Sequence, residues 1–368
     1  MSLKSKMPEL TPQNAAVAVG VAFVAPHVYA GLKQTVIFFG SLTGRQQKRI
    51  DKYNDLMDDD KTGVDGRNKE YTTVVDAYYD LATDFYEWGW GSSFHFATRY
   101  GFESFRQSIL RHEYYLAGKL GVAPGQHILD CGCGIGGPAR NIHRFTGAKV
   151  TAVTLNQHQV DRGNALCRKE GVFGETKVTL KQADFMKLPF EDNTFDGVFA
   201  IESTCHAPDR VGVYSEIFRV LKPGATFACY EWCLVDDKYD PNNAHHAKIK
   251  KDIEVGDGLP DIAKTSHCTE ALKKVGFEVS EARDVAIEEG LHVAEGNPWY
   301  WPLTPSWNPL DWPRFQFNPI MFRMMPIILG FFELVRLVPA GTRKTQVMLQ
   351  VSLPMRRMFN SNSSSWVL

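Results

Sequence analysis

The chain has 368 residues, of which 44% are hydrophobic and 23% charged, a composition that is typical of globular proteins and excludes wholesale disorder. At roughly 150 residues per domain, this length predicts about two domains, or one large domain with insertions. The 41 basic and 42 acidic residues give a net charge of −1, which indicates no nucleic-acid partner.

Residues 1–45 are predicted to be a hydrophobic leader or membrane anchor. Residues 15–32 carry no full charge, and this run is close to the ~20 residues that a membrane-spanning helix needs. Gly20, Pro26 and Gly31 weaken it as a helix, so an amphipathic or disordered leader and a cleaved signal peptide are the alternatives. If the run is an anchor, the basic residues that follow it place the main domain in the cytosol.

Residues 46–120 are predicted to hold a linker and an aromatic substrate-binding segment. The charged stretch 45–69 is typical of a solvated linker. Eleven aromatic residues lie in 78–105 with neither helical nor strand periodicity, and glycines beside tryptophans predict a sharply bent loop. Since Leu, Ile and Val are absent from 85–108, we favour an apolar ligand wall over a plug of hydrophobic core.

From residue 127 the pattern alternates between strands and helices. We predict strands at 127–131, 149–155, 178–182, 195–202 and 226–232, and helices at 138–145, 156–170 and 208–221. Asn156 is the expected cap of the second helix. The segments 269–275 and 279–286 continue the alternation as a helix and a strand. The pattern predicts an α/β core over 121–286, a doubly wound parallel sheet with helices on both faces.

A glycine-rich loop follows the first strand and precedes a helix, so the backbone there can approach a ligand closely. It contains Gly132, Gly134 and Gly136, and Gly137 completes the dinucleotide fingerprint G-x-G-x-x-G. That fingerprint alone is a weak signal. Asp130 lies two residues before the first glycine, where its carboxylate is positioned to meet a cationic ligand.

The loop resembles motif I of the class I methyltransferases that use S-adenosylmethionine. The second strand ends at Asn156 and Gln157, not at the acidic residue that a dinucleotide's ribose would prefer, although the amide can still hydrogen-bond a ribose. The resemblance continues at Asp184 and Phe185, where that superfamily reads adenine. It implies S-adenosylmethionine as the cofactor, held by Asp130, Gly132, Gly134, Gly136, Asn156, Gln157, Asp184 and Phe185.

Two further segments resemble the signatures of the sterol 24-C-methyltransferases. These are 86–96 (YEWGWGSSFHF) and 201–208 (IESTCHAP), and the likeness covers roughly residues 76–350. It implies a Rossmann-like core preceded by the aromatic segment and followed by a helical sterol-binding cap over 287–350. It also implies methyl transfer to C24 of a Δ24 sterol such as cycloartenol or zymosterol, through a carbocation, a hydride shift and a deprotonation, in sterol biosynthesis. The sterol-binding residues are then expected to be Tyr79, Asp80, Tyr86, Glu87, Trp88, Trp90, Ser92, Ser93, Phe94, His95 and Phe96.

The implied reaction needs aromatic faces beside a transient cation and one late base. Glu202 and His206 are the leading candidates for the base, because they follow the fourth strand at the edge where α/β sheets bind ligands. Positioning the sterol hydroxyl or holding the loop are their alternative roles. Four other residues are kept in reserve as bases: Asp80, Glu87, His95 and Glu231.

Three other functions stay open at this point. They are methylation of another lipid, sterol binding without catalysis, and a nicotinamide-dependent oxidoreductase, which is disfavoured because no Tyr-x-x-x-Lys pair follows the fourth strand. The polar tail over 351–368 lacks the hydrophobic strand with which family members end. That departure keeps the non-catalytic interpretation open.

The expected surroundings follow from the cysteines and the substrate. Seven cysteines, an odd number without a Cys-x-x-Cys pair, predict free thiols in a reducing compartment and neither disulfides nor a metal site. A sterol substrate predicts membrane association. We expect the protein at the endoplasmic reticulum membrane with its catalytic domain facing the cytosol, and homo-oligomerisation is left open.

Overall fold

The computed structural model describes residues 53, 55–58, 60–101, 103–285, 296–297, 305–308, 318–335, 343 and 365–367. The leader over 1–45 and most of the cap over 287–350 lie outside these residues, and the predictions made for them stay predictions.

The described residues form helices and strands that alternate through the core. In chain order the helices are α1 (Gly63–Lys69), α2 (Tyr71–Gly89), α3 (Phe105–Leu120), α4 (Gly137–Thr146), α5 (Gln157–Lys169), α6 (Arg210–Val220), α7 (Ala244–Asp257), α8 (Thr265–Val275) and α9 (Pro319–Leu334). The strands are β1 (Arg99–Tyr100), β2 (His127–Cys131), β3 (Lys149–Thr154), β4 (Val178–Gln182), β5 (Phe195–Ile201), β6 (Leu221–Trp232), β7 (Gly296–Asn297) and β8 (Ser365–Val367).

The central sheet has the strand order β4-β3-β2-β5-β6-β8, and all of its pairs are parallel except β6 with β8. Successive residues of β2 pack on opposite faces, because side chains alternate along a strand. Ile128 joins the core beneath α3, α4 and α5, whereas Leu129 joins the core beneath α6 and α8. The predicted doubly wound sheet with helices on both faces is confirmed.

The C-terminal edge of the sheet differs from the prediction. Residues 279–285 form no strand, and the edge beside β6 is taken by β8, which pairs antiparallel with Tyr230–Trp232. The prediction that the tail lacks a strand is therefore wrong. A polar tail can pair because an edge strand joins the sheet through its backbone N–H and C=O groups, whatever side chains it carries.

Two predictions for the N-terminal segment are also wrong. The stretch expected to be a solvated linker contains Tyr53 and Met57, both buried, and Arg67, which is only 1% exposed. Arg67 donates from Nε to the Pro260 carbonyl at 3.1 Å, so its buried charge is hydrogen-bonded. The predicted loop begins only after residue 89, because residues 78–89 belong to helix α2. Aromatic side chains on several faces of that helix conceal its period.

Candidate active site

A cavity of about 660 Å³ opens at the carboxyl ends of β2, β3 and β5. The cavity lies at the edge where parallel α/β sheets bind ligands. Its lining combines the predicted glycine loop with residues from α2, the aromatic segment, α5 and the ends of β3 and β5. The lining residues are Val75, Tyr79, Phe94, His95, Asp130, Gly132, Cys133, Gly134, Pro138, Thr154, Leu155, Gln159, Phe185, Ile201, Glu202, Ser203 and His206.

The glycine loop is packed against its neighbours on the protein side. A methyl group at Gly132 (φ 93°) would lie 2.3 Å from the Ser203 Cβ, and one at Gly137 would lie 2.1 Å from the Ser92 carbonyl oxygen. No real Cβ tolerates such distances. Glycine is therefore required at both positions by the close approach of the aromatic segment and the β5 loop, independently of any ligand.

Asp130 is the only predicted cofactor ligand in the described cavity wall with an ionisable side chain. Its side chain is 2% exposed, and its Oδ2 atom has no hydrogen-bond partner among the described residues. Burial raises the pKa of this carboxyl well above its usual range, and the nearby Glu113 raises it further. A buried acceptor without a donor fits a cationic ligand, because a positive charge beside it would restore the ionised form.

The other cofactor predictions divide into two groups. Gly132, Gly134 and Phe185 line the cavity, as expected. Gly136 (φ 73°) instead precedes helix α4 as its N-cap in a left-handed conformation, which gives it a structural role. Asn156, Gln157 and Asp184 are not part of the lining.

The side-chain amide of Asn156 is fully engaged elsewhere. Its Oδ1 accepts from the Gln159 N–H at 3.0 Å, which confirms the predicted helix cap, and its Nδ2 donates to Asp76 Oδ1 at 2.9 Å and to Asp80. The amide that was expected to bind a ribose therefore donates its hydrogen bonds to helix α2. Gln157 is exposed and donates to Asp161, and Asp184 accepts from the Met186 N–H in a turn.

Gln159 is a cavity residue that the sequence analysis missed. It is 1% exposed, its Oε1 accepts from Thr154 Oγ1 at 2.6 Å, and its Nε2 donates to Thr83 Oγ1 at 3.1 Å. The position of Gln159 in the first turn after the cap was the available signal, because that turn starts at the sheet edge and faces the cavity.

A second cavity, of about 490 Å³, adjoins the first and is largely aromatic. Five residues line both cavities: Tyr79, Phe94, His95, Glu202 and His206. The remaining lining residues are Tyr78, Tyr86, Trp90, Phe96, Cys205, Trp232, Asp257 and Leu259. The two cavities therefore meet at the shared residues.

The predicted substrate-binding residues that line the second cavity are Tyr79, Tyr86, Trp90, Phe94, His95 and Phe96. Four others are not in the lining. Asp80 accepts from Asn156, Glu87 pairs with Arg162 of α5, and Ser93 Oγ donates to Glu113 at 2.7 Å. The Ser92 carbonyl packs on Gly137. These contacts join the aromatic segment to the sheet. The side chain of Trp88 lies outside the described part of the structure.

Asp257 at the end of α7 is a cavity residue that no sequence signal revealed. Its Oδ1 is 3.5 Å from the Tyr86 hydroxyl, and its buried Oδ2 has no hydrogen-bond partner in the part of the chain that the structure describes. Burial raises the pKa of this carboxyl well above its usual range, and Glu202 raises it further. Helix α7 lies far from the signatures in sequence, so only the fold brings Asp257 to the cavity.

Glu202 lies at the junction of the cavities with its carboxylate fixed. Its backbone is left-handed (φ 51°), which is an uncommon and mildly strained conformation for a residue with a side chain. Its Oε1 accepts from the Phe96 N–H at 3.0 Å, and its Oε2 accepts from Trp232 Nε1 at 2.7 Å. Burial raises the pKa of this carboxyl to about 7, while His95 opposes the increase.

His206 lies beside Glu202 with both ring nitrogens engaged. Its Nδ1 is 3.2 Å from the Gly258 carbonyl, which can only accept, so Nδ1 carries the proton. In the neutral ring Nε2 then accepts from the Tyr79 hydroxyl at 2.9 Å. Burial lowers the pKa of His206 to about 4, so the ring is neutral at physiological pH.

Glu231, a reserve base, lines neither cavity. It is 0% exposed and accepts from the Trp232 N–H at 2.8 Å and from the Thr204 hydroxyl. Its charge also raises the pKa of the buried Arg210 guanidinium. These contacts give Glu231 a structural role at the end of β6.

Comparison with known proteins decides the family. Residues 129–229 match the model of a methyltransferase domain. The chain is 50% identical to the "Cycloartenol-C-24-methyltransferase 1" of Oryza sativa subsp. japonica over 286 residues, which are 78% of this chain and 80% of that protein. The chain belongs to the sterol 24-C-methyltransferase family.

Other members of the sterol 24-C-methyltransferase family are similarly close. The "Sterol 24-C-methyltransferase" of Yarrowia lipolytica is 45% identical over 77% of this chain and 74% of its own length. A solved "putative sarcosine dimethylglycine methyltransferase from Galdieria sulphuraria" is 20% identical, with a TM-score of 0.55 over 78% of this chain and 96% of its own. The resemblance inferred from the motifs is confirmed, and the fold is that of the class I methyltransferases.

Proposed function

We propose that this chain transfers a methyl group from S-adenosylmethionine to C24 of a Δ24 sterol side chain, in sterol biosynthesis. One observation carries the proposal: the glycine-loop cavity and the aromatic cavity meet at the shared residues Tyr79, Phe94, His95, Glu202 and His206. A donor in the first cavity and an apolar acceptor in the second would meet there, which is what direct group transfer requires.

The residues of the first cavity fit this cofactor, which when bound supplies an electrophilic methyl group on a sulfonium sulfur. Asp130 would hold its cationic amino group, because this residue lines the cavity and its Oδ2 has no hydrogen-bond partner among the described residues. Phe185 supplies an apolar side to the same cavity. Gly132 and Gly134 would let the backbone approach the ligand.

The aromatic cavity suits an alkene acceptor. An alkene needs no base to attack, but it needs alignment and a site without water. Tyr86 packs on Phe94 with ring centroids 5.4 Å apart, and Trp90 packs edge-on against Phe96 at 4.9 Å. Such rings exclude water and present π faces to a sterol carbocation. Each well-placed desolvated ring stabilises a cation by about 2 kcal/mol.

Glu202 is the base that removes the final proton from the sterol. Each Glu202 oxygen accepts one hydrogen bond and keeps a second lone pair that can take a proton. The neutral His206 ring has a single acceptor nitrogen, and that nitrogen already accepts from the Tyr79 hydroxyl. The C–H bond of the methyl-derived carbon breaks, its electrons form the new alkene, and the proton passes to Glu202. His206 then positions the Tyr79 hydroxyl at the cavity junction.

The test is turnover with labelled S-adenosylmethionine on cycloartenol, zymosterol and a 24-methylene sterol, with products identified by mass spectrometry. We expect label in a 24-alkylated sterol and loss of turnover in Glu202→Gln, with both ligands still bound. Turnover of the wild type should rise with pH through about 7, because the carboxylate form is the base. Binding of both ligands without any labelled product would reject the proposal.

We also propose that the protein acts at the surface of the endoplasmic reticulum membrane, with its catalytic domain on the cytosolic side. No described helix is long and apolar enough to cross a bilayer. Helix α9 nevertheless exposes five apolar side chains: Ile320, Met324, Ile327, Phe331 and Leu334. Because an α-helix turns by ~100° per residue, these side chains lie within an arc of about 80° on one side of the helix. A helix with such a stripe can lie in a membrane interface, where a sterol substrate would be found.

Flotation with phosphatidylcholine–sterol vesicles tests this surface. The double variant Ile327→Asp/Phe331→Asp should lose flotation, whereas Phe145→Asp, which changes an exposed ring on α4, should keep it. Equal flotation of all three proteins would contradict the role of α9. If the wild type instead stays off the vesicles as a dimer that the double variant dissociates, a second copy of the chain covers the stripe.

A further inference from the structure

His95 occupies a position that determines its protonation state. Its Nδ1 lies 3.1 Å from the Phe96 carbonyl oxygen, and its Nε2 lies 3.1 Å from Glu113 Oε1. A carbonyl and a carboxylate only accept hydrogen bonds, so both ring nitrogens donate. The geometry therefore describes an imidazolium, and it leaves no lone pair for binding a metal or accepting a proton.

The surroundings of Glu113 support this assignment. Glu113 is 0% exposed, its Oε1 also accepts from Ser93 Oγ at 2.7 Å, and its Oε2 accepts from Asn141 Nδ2 at 2.8 Å. These two neutral donors stabilise a carboxylate at a site that water does not reach. The pKa of His95 is raised, because the contacts with Glu113 outweigh the effect of burial.

The His95 ring also lies beside the catalytic carboxylate. A His95 nitrogen and a Glu202 oxygen lie within 4.8 Å of each other, together with a nitrogen of His112. The hydrogen bonds to Glu202 come from the neutral donors Phe96 N–H and Trp232 Nε1–H. At such a distance, in a site of low polarity, an opposite charge has a large effect on a carboxyl group.

We propose that His95 is a permanent imidazolium, held by Glu113, whose charge keeps Glu202 ionised for the final proton transfer. His95 is thus a positioning residue that acts through Glu202, and neither a reserve base nor a sterol ligand alone. This inference rests on the proposed role of Glu202 as the base. It explains how a carboxylate can persist in an aromatic cavity that would otherwise protonate it.

The titratable and charged groups that face Glu202 come from every element packed around it. They are His95 on the loop, Tyr79 and Tyr86 on α2, His112 on α3, Cys205 and His206 on the turn after β5, Glu231 on β6 and Asp257 on α7. Among them only His95 is cationic, because burial lowers the pKa of His206 to about 4 and that of His112 well below its usual range.

Two variants of the full-length protein test the charge. In His95→Gln and in Glu113→Gln, the apparent pKa of turnover should rise from about 7 by about 1–3 pH units, because Glu202 loses its cationic neighbour. Turnover lost near neutral pH should return in alkaline buffer. His143→Gln is the matched control, because His143 also contacts a carbonyl (Ala148, 2.8 Å) but lines neither cavity.

Nitrogen NMR of the histidine rings provides a readout that does not depend on turnover. We expect both His95 nitrogens to be protonated at neutral pH in the wild type and not in Glu113→Gln. A neutral His95 ring in the wild type would overturn the proposal. So would an equal loss of turnover at every pH in His95→Gln. If Glu202→Gln keeps full turnover, the base assignment fails, and the NMR result still decides the state of His95.

Discussion

The two cavities are built in different ways, although they share five residues. Most of the lining of the glycine-loop cavity comes from the ends of parallel strands and the segments that follow them, and α2 and the aromatic loop add four residues. The aromatic cavity draws on α2, the loop after it, β6 and α7, which are separated by more than 150 residues. The first kind of site is encoded in a local motif, whereas the second exists only when distant elements pack.

The two cavities resemble each other in their buried carboxyl groups, and both differ from the junction between them. Within the described structure, Asp130 and Asp257 each have a buried oxygen without a partner, one in each cavity. Glu202 at the junction has a donor on both oxygens. Unpaired groups indicate places where a ligand or a proton completes the site, whereas a paired group is held in position before any ligand arrives.

The largest expected effect on ligand binding belongs to the glycine-loop cavity. Asp130→Ala should weaken S-adenosylmethionine binding about 10–100-fold, which corresponds to a hydrogen bond with a charged group. Sterol affinity should change little, because Asp130 does not line the aromatic cavity. Titration calorimetry with each ligand measures both, and Asp192→Asn at an exposed ion pair is the control. Unchanged cofactor affinity would contradict the role of Asp130.

A methyl group at Gly137 should disrupt the contact between the glycine loop and the aromatic loop. Gly137→Ala would place Cβ 2.1 Å from the Ser92 carbonyl and should lower the free energy of unfolding by about 2–3 kcal/mol. Gly118→Ala is the matched control, because its Cβ meets nothing within 4 Å in the last turn of α3, and the change should stabilise the protein by about 0.5–1 kcal/mol. Denaturant unfolding compares the two. Equal stability would mean that the aromatic loop does not rest on the glycine loop.

Removing the unpaired charge of Asp257 should stabilise the protein. Its folded-state pKa is raised above the ordinary value of 3.8, so the folded state binds the proton more tightly and stability falls as pH rises above that value. Asp257→Asn should therefore raise the free energy of unfolding by about 1–2 kcal/mol at mildly alkaline pH. The gain should vanish at a pH near 3, where the carboxyl is protonated in both states. Thermal unfolding at the two pH values shows which sign holds.

The smallest effect is expected at Glu87, which the signature placed among the sterol ligands. Arg162 donates from Nε to Glu87 Oε2 at 2.7 Å, and both side chains are partly exposed. Because exposed ion pairs contribute little, Glu87→Gln should change the free energy of unfolding by less than about 1 kcal/mol. Turnover should stay the same within error. A marked increase in the KM for the sterol would move Glu87 back into the substrate site.

The sequence by itself determined the sheet, the family and most of the glycine loop. Strand periodicity, the Asn156 cap and the placing of Asp130 before the glycines are local patterns, and a parallel sheet brings consecutive strand ends to one edge whatever the helices do. Motif resemblance then identified the sterol 24-C-methyltransferase family. Glu202 was placed correctly at the edge of the sheet for the same reason.

Tertiary structure alone decided the details of the site. Packing of α2 on α5 engaged Asn156 and Glu87, which the motifs had presented as ligands. The approach of α7 and β6 brought Asp257 and Trp232 to the aromatic cavity, and β8 completed the sheet from a polar tail. Sequence spacing carries no record of such contacts, because which polar group a side chain meets depends on distances that exist only after the elements have packed.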